Sequence, residues 1–182
     1  MSNASSRSSL DAVRPVLVLV IICMVASALL GAVHAATAPI AQANADQKAQ
    51  ETYAKLVPEA ASFEPMDCSV AGCTAALRAL DDSGNVLAHV IVAQSKGYGG
   101  QVPIAVAFGP DGTVSAITTM PNDETPGLGT KIANDSYIGQ YVGMAAQPTA
   151  ADDVDLISGA TISSKAALAA FNVAVEAFEE VR

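Results

Sequence analysis

The chain has 182 residues and a mass of 18.4 kDa, enough for one domain and a short accessory segment. Its 9 Lys and Arg against 18 Asp and Glu leave a net charge of −9, the wrong sign for a protein that binds nucleic-acid phosphates. With 51% apolar and 15% charged residues it is no disordered acidic chain, and two His and three Cys without C-x-x-C or H-x-x-x-H spacing argue against a metal or haem site.

The first element is the most apolar. Pro15 to Ala36 reads PVLVLVIICMVASALLGAVHAA, 22 positions without a charge. At about 1.5 Å per residue such a helix is roughly 33 Å long, enough to cross a hydrocarbon core of about 30 Å. Before it, Arg7, Arg14 and Asp11 give a net +1; after it the balance is 7 − 17 = −10. The positive-inside rule therefore predicts a cytoplasmic N-terminus (1–14), a transmembrane helix (15–36) and a domain on the periplasmic or extracellular side of the cell membrane. Val33-His34-Ala35 also offers a signal-peptidase site, but the apolar run exceeds the roughly 7–15 residues of a secretion signal. Bulky Ile21-Ile22 make Cys23 a poor lipidation site. A retained anchor is the preferred reading, and either reading exports the domain.

Thr37-Ala38-Pro39 predicts a break, after which Ile40 to Val57 resumes a helical, Ala-rich pattern that ends before Pro58. Residues 37–62 read as a helical stalk and 63–182 as the exported domain. Cys68 and Cys73 lie five apart there, so a disulfide and two packed thiols both remain open.

Next come two hairpins. Thr74–Leu80 and Asn85–Gln94 flank the turn Asp81-Asp82-Ser83-Gly84, and Val102–Phe108 and Thr113–Met120 flank Gly109-Pro110-Asp111-Gly112. An antiparallel sheet is the simplest arrangement. His89, inside a strand with no second His nearby, reads as packed rather than ligating.

Three glycine-rich stretches remain that no sheet needs: Lys96-Gly97-Tyr98-Gly99-Gly100, Glu124-Thr125-Pro126-Gly127-Leu128-Gly129-Thr130, and Asp155-Leu156-Ile157-Ser158-Gly159-Ala160-Thr161. The third runs into a helix from about Ser163 to Val181. Glycines permit close backbone approach, and a helix N-terminus favours a phosphate. The three together suggest a planar or phosphorylated ligand held between loops.

In that order, GYGG, a hairpin with a central DG turn, ETPGLG and D-x-x-S-G-A-T before a final helix, the chain resembles the exported FMN-binding domain family from about Ala75 to its C-terminus. That family includes the G subunit of the Rnf complex and the C subunit of the sodium-pumping NADH:quinone reductase. Two departures stand out: Pro121-Asn122-Asp123 where His often precedes ETPGLG, and Ile162-Ser163-Ser164 after GAT where Thr-Ser is common.

The resemblance implies an α+β fold, with a single N-terminal transmembrane helix, an antiparallel-sheet FMN-binding domain and flanking helices. It also implies FMN joined through its phosphate to the hydroxyl of Thr161 by a flavin transferase acting after export. Asp155 would belong to the sequence read by that transferase, and Ser158, Gly159 and Ala160 to the tight approach to the helix. Ser163, Ser164 and their amides would bond the phosphate, with Lys165 as a charge partner. Glu124, Thr125, Gly127, Leu128, Gly129 and Thr130 resemble the ring-contacting loop, Tyr98 would flank the flavin, and Glu124 would be a structural hydrogen-bond partner. No catalytic residue and no metal are implied.

The role implied is an electron-carrier subunit, without catalysis of its own, in a membrane-bound ion-translocating ferredoxin:NAD⁺ oxidoreductase of the Rnf type. Its partners would be the other membrane subunits. The alternatives are the equivalent subunit of the sodium-pumping NADH:quinone reductase, a stand-alone exported flavoprotein, or a flavin-free binding module. No G-x-G-x-x-G turn for a nicotinamide lies between a strand and a helix.

Overall fold

The structure, a computed structural model, describes residues 5–182, with side chains from residue 14 onward except at position 42. Residues 1–4 and the side chains of Arg7 and Asp11, part of the predicted charge asymmetry, lie outside the described residues. The chain divides into two compact units, residues 1–48 and 49–182.

The first unit is helical. Helix α1, Ser5–Leu56, carries its apolar side chains exposed, with Leu19 at 61% and Leu29 at 63%. A window of mean hydropathy 3.0 with none of its residues buried makes it long and apolar enough to cross a membrane. The predicted break at Thr37–Pro39 is corrected: α1 runs through Pro39. Proline removes one N–H from the ladder, and Thr37 turns its hydroxyl back onto the Val33 and His34 carbonyls at 2.9 and 3.3 Å. The Ala-rich sequence beyond then carries the helix onward.

In the second unit a five-stranded antiparallel meander, in the order β1-β2-β3-β4-β5, replaces the four strands expected. Its strands are β1 Ser62–Met66, β2 Cys73–Leu80, β3 Val86–Lys96, β4 Gln101–Phe108 and β5 Val114–Thr119. Both predicted turns form. Asp81 accepts the Ser83 and Asn85 N–H groups at 2.7 and 2.8 Å, and Asp111 accepts the Thr113 N–H at 3.0 Å. The extra strand β1 pairs with β2 from Ser62↔Leu80 to Met66↔Ala76. Its sequence, SFEPM, contains a proline, which suits a sheet edge and hides a strand from pattern reading.

Alternation along β3 and β4 sends side chains to two covered faces. Ile91, Ala93, Ile104, Val106 and Phe108 meet helix α3, Thr161–Val181, through its buried Ala166, Ala167, Ala170, Phe171, Ala174 and Phe178. Small alanines bring helix and sheet close, and Phe108 stacks on Phe178 at 4.6 Å. Val90, Val92, Ala105 and Ala107 face the other way, where Leu56 and Val57 cover them and Tyr53 packs alongside. The last turn of the predicted stalk is thus part of the core of this unit. His89 packs edge-on to Phe178 at 5.6 Å; burial, and then the Arg78 charge, depress its pKa and favour the neutral ring. Cys68 and Cys73 are free thiols.

Between β5 and α3 the chain forms a 3-10 turn, Gly129–Ala133, and a short helix α2, Asp135–Ile138. These supply Ile132, Tyr137 and Ile138 to the core, with Tyr141 just beyond. The Tyr137 hydroxyl donates to the Ser164 carbonyl at 2.7 Å, tying this segment to the first turn of α3.

Candidate functional site

The three glycine stretches, far apart in sequence, converge at the N-terminus of α3. They enclose an open cleft of about 520 Å³ lined by Tyr98, Thr125, Leu128, Gly129, Gly159, Ala160, Thr161, Ile162 and Ser163. That volume falls within the roughly 300–1,000 Å³ of small-molecule and cofactor sites.

One carboxylate holds the loops together. Glu124 is only 3% exposed. Its Oε1 accepts the N–H groups of Tyr98 and Gly99 at 2.8 and 3.0 Å, and its Oε2 accepts the Ser163 hydroxyl at 2.5 Å. Burial acts to raise its pKa, but the hydrogen bonds from Ser163, Gly99, Tyr98 and Gly100 outweigh this and hold the carboxyl below its ordinary value. Glu124 is therefore an ionised tie between the first loop, the second loop and α3. Two glycines make room for it. A Cβ on Gly97 would collide with Oε1, and one on Gly129 would lie 2.7 Å from Oε2 and 3.0 Å from the Ser163 hydroxyl.

The second loop folds on itself. Leu128 and Thr130 donate their N–H groups to the Thr125 carbonyl at 3.1 and 3.2 Å, and the Thr130 hydroxyl accepts the Gly127 N–H at 2.9 Å. Gly127 sits at φ 72°, a conformation that suits glycine. Its exposed product is Leu128, and with Tyr98 (72% exposed) and Ile162 (56%) it gives the cleft apolar walls. Thr130 serves the loop's own geometry and Gly127 its turn; neither lines the cleft.

The third stretch places Thr161 at the first position of α3. Ala160 precedes it as N-cap without a capping side chain, which leaves the leading N–H groups of the helix available to an anion. Thr161 is exposed and lines the cleft. The hydroxyls of the two serines predicted to bond a phosphate have other partners. Ser163 serves Glu124, while Ser164, fully buried, donates its hydroxyl to the Ala160 carbonyl at 3.0 Å and accepts the Ile157 N–H at 3.1 Å. Burial in the first turn of α3 points them inward, so their hydroxyls shape the loop.

Asp155 and Ser158 also stand apart from the cleft lining. The Asp155 N–H donates to the Gln140 side chain at 2.7 Å, and the residue is exposed. Gly159, at φ 82°, turns the chain into the helix. Sequence reasoning missed Ile162 as a wall and Gly97 and Asn122 as supports. Asn122 accepts the Glu124 N–H at 3.2 Å and donates to the Met120 carbonyl at 3.0 Å, steadying the segment that leads into the second loop.

The cleft fits a mononucleotide flavin. It combines apolar walls for a planar ring, glycine backbones for close approach, and an uncapped helix N-terminus beside a free hydroxyl for a phosphate. Among the described residues no group of three or more His, Cys, Asp or Glu could hold a metal ion.

Residues 97–176 match the FMN-binding domain family. Over 87% of this chain, the G subunit of the proton-translocating ferredoxin:NAD⁺ oxidoreductase complex of Clostridium ljungdahlii is 33% identical, with 86% of that protein covered. The G subunit of the ion-translocating oxidoreductase complex of Methanosarcina acetivorans is 32% identical over 92% of this chain and 95% of its own length. A solved structure, NqrC of Shewanella oneidensis, aligns at TM-score 0.48 and 20% identity over 68% of this chain and 70% of that one. Matched by the family across all three loops and by these two G subunits over nearly their whole length, the chain belongs to the FMN-binding domain family.

Proposed function

We propose that this chain is an FMN-carrying electron-transfer subunit of a membrane-bound ion-translocating oxidoreductase complex, equivalent to the G subunit of its relatives, and that FMN is joined through its phosphate to Thr161. The observation that carries the attachment is local. Thr161 presents an exposed hydroxyl to the cleft at an uncapped helix N-terminus, while the neighbouring Ser163 and Ser164 are buried and engaged elsewhere.

Bound FMN supplies one- and two-electron redox chemistry. The chain's own residues do the rest. Tyr98, Leu128 and Ile162 wall an apolar space for the ring, and the first turn of α3 orients the phosphate. Esterification suits a domain this acidic, because it removes one ionisable oxygen and prevents loss of the cofactor to dilution. A flavin transferase would make the bond, reading the stretch from Asp155 to Thr161, of which Asp155, Ser158, Gly159 and Thr161 are exposed. The cleft is open, so a ring held there would be within reach of a redox partner among the other membrane subunits. Helix α1 would be the single anchor, N-terminus in the cytoplasm, with residues 63–182 outside and 37–62 between. The G-subunit relatives at 33% and 32% identity, covering most of the chain, favour this complex over the sodium-pumping quinone reductase, whose C subunit matches only 46% of the chain.

Intact mass and in-gel flavin fluorescence of the full chain from its own host test the reading. The wild type and Ser163→Ala should both carry one covalent FMN and Thr161→Ala none. A fluorescent Thr161→Ala band would move the attachment elsewhere. NADH oxidation by the purified chain alone would make it an enzyme rather than a carrier.

A further inference from the structure

Cys68 and Cys73 lie outside the flavin cleft, Cys73 at the start of β2. They flank the turn that closes the β1–β2 hairpin, where the Cys73 N–H donates to the Val70 carbonyl at 3.0 Å and Gly72 takes φ 97°. Both thiols are half-buried against the core that α3 shares with the sheet, and the two side chains are in hydrogen-bonding contact. A different element pins each side. Ser69 donates its N–H and hydroxyl to Glu180 of α3, at 3.2 and 2.6 Å. The Gly72 carbonyl accepts the Gln94 N–H at 2.8 Å, and Cys73 pairs with Ala93 of β3. The Cys68 thiol lies 4.0 Å from the Glu180 carboxylate. Burial first, and then the hydrogen bond and charge contact with Cys68, push the Cys73 thiol up to about 12.

We infer that Cys68 and Cys73 are a dithiol–disulfide pair, which a small or protein disulfide oxidant converts to an intramolecular bridge across this turn. Cys68 releases its proton to solvent, and the resulting thiolate attacks one sulfur of the oxidant, whose other sulfur leaves as a thiol. Cys73 then gives up its proton, attacks the Cys68 sulfur and expels the second thiol. One S–S bond forms in the protein and one breaks in the oxidant, which receives two electrons and two protons. The reluctance of Cys73 to ionise sets the order: Cys68 attacks and Cys73 resolves. The bridge ties edge strand β1 to β2 beside the Glu180 seat on α3. Which form the cell holds depends on the compartment proposed above, but the chemistry of the pair does not.

The full chain in detergent, carrying Cys23→Ser, is incubated with oxidised glutathione, alkylated, digested and weighed. The expected product is a Cys68–Cys73 linked peptide, from a chain lighter by two hydrogens and free of glutathione. Its melting midpoint should rise by about 5 °C over the reduced form. Adding Cys73→Ser should stop the reaction at one glutathione on Cys68, while Cys68→Ser should leave Cys73 nearly unreacted. Two alkylated thiols after prolonged incubation, or one glutathione on each cysteine, would overturn the pair. A predominantly Cys73-bound adduct in the reaction would overturn the order of attack. If the bridge forms in vitro while the chain from its host is fully reduced, the pair stands and the export reading fails.

Discussion

The two ends of α3 treat their side chains in opposite ways. Toward its C-terminus Phe171, Ala174 and Phe178 are buried against the sheet, with Phe178 stacked on Phe108 and edge-on to His89. At its N-terminus Thr161 and Ile162 are exposed over an open cleft, and the helix has no capping side chain. The buried end provides stability and leaves nothing for a ligand. The open end leaves backbone donors and a hydroxyl unmatched, which is a cost in the empty protein and an opportunity for a phosphate. Glu124 separates the two regimes, since it anchors the loops while its bond to Ser163 fastens them to the helix just inside the open turn.

Breaking this contrast from the open side gives the largest expected effect. Thr161→Ala should abolish covalent flavin fluorescence on a denaturing gel. Since Thr161 is an exposed first-turn residue and not the N-cap, its stability should stay within about 0.5 kcal/mol of wild type by chemical denaturation. From the packed side, Phe178→Ala should destabilise the domain by about 4 kcal/mol in urea, through loss of the stacked ring and the cavity left behind. Its flavin attachment should persist wherever the domain remains folded. A Thr161→Ala protein that unfolds, or a folded Phe178→Ala protein that loses flavin, would show that the two ends are not separable.

The tie between them should respond in both measures. Glu124→Ala leaves the Tyr98 and Gly99 N–H groups and the Ser163 hydroxyl without their acceptor, and should cost about 3 kcal/mol while lowering flavin occupancy. Its pKa is depressed on folding, so its stabilisation is present above the unfolded-state value of about 4.3 and is lost as the pH falls through the lower folded value. Thermal scans should therefore show a steeper acid loss below about pH 4 in the wild type than in Glu124→Gln. An identical acid slope in both would remove Glu124 from this role. The smallest effect is expected at the cleft wall: Ile162→Ser should leave the stability unchanged within about 0.5 kcal/mol but make the flavin more accessible to a collisional quencher.

Local chemistry made much of this legible from sequence. Asp-Gly turns, β-branched runs and the uncharged N-terminal stretch act through near neighbours, so the hairpins and the apolar helix follow from spacing alone. The family motifs likewise named the loops that converge on the cleft. Other features depend on distant partners. Edge strand β1 forms because β2 is there to pair with it. Tyr53, Leu56 and Val57 read as a polar stalk until the second face of the sheet needs covering.

The same division runs through the site. The motif singled out Thr161 and set Ser163 and Ser164 beside it as phosphate partners, and the tertiary structure gave the two serine hydroxyls other partners. Helical rotation leaves Thr161 exposed to the cleft but turns both serines into the interior, where burial without a partner would be costly. Ser163 meets Glu124 across 39 positions and Ser164 closes its own loop onto Ala160 and Ile157. Residue identity and spacing put these hydroxyls at one helix entrance. Long-range packing decided which one remained free, because each buried hydroxyl is claimed by whichever acceptor the fold brings within reach.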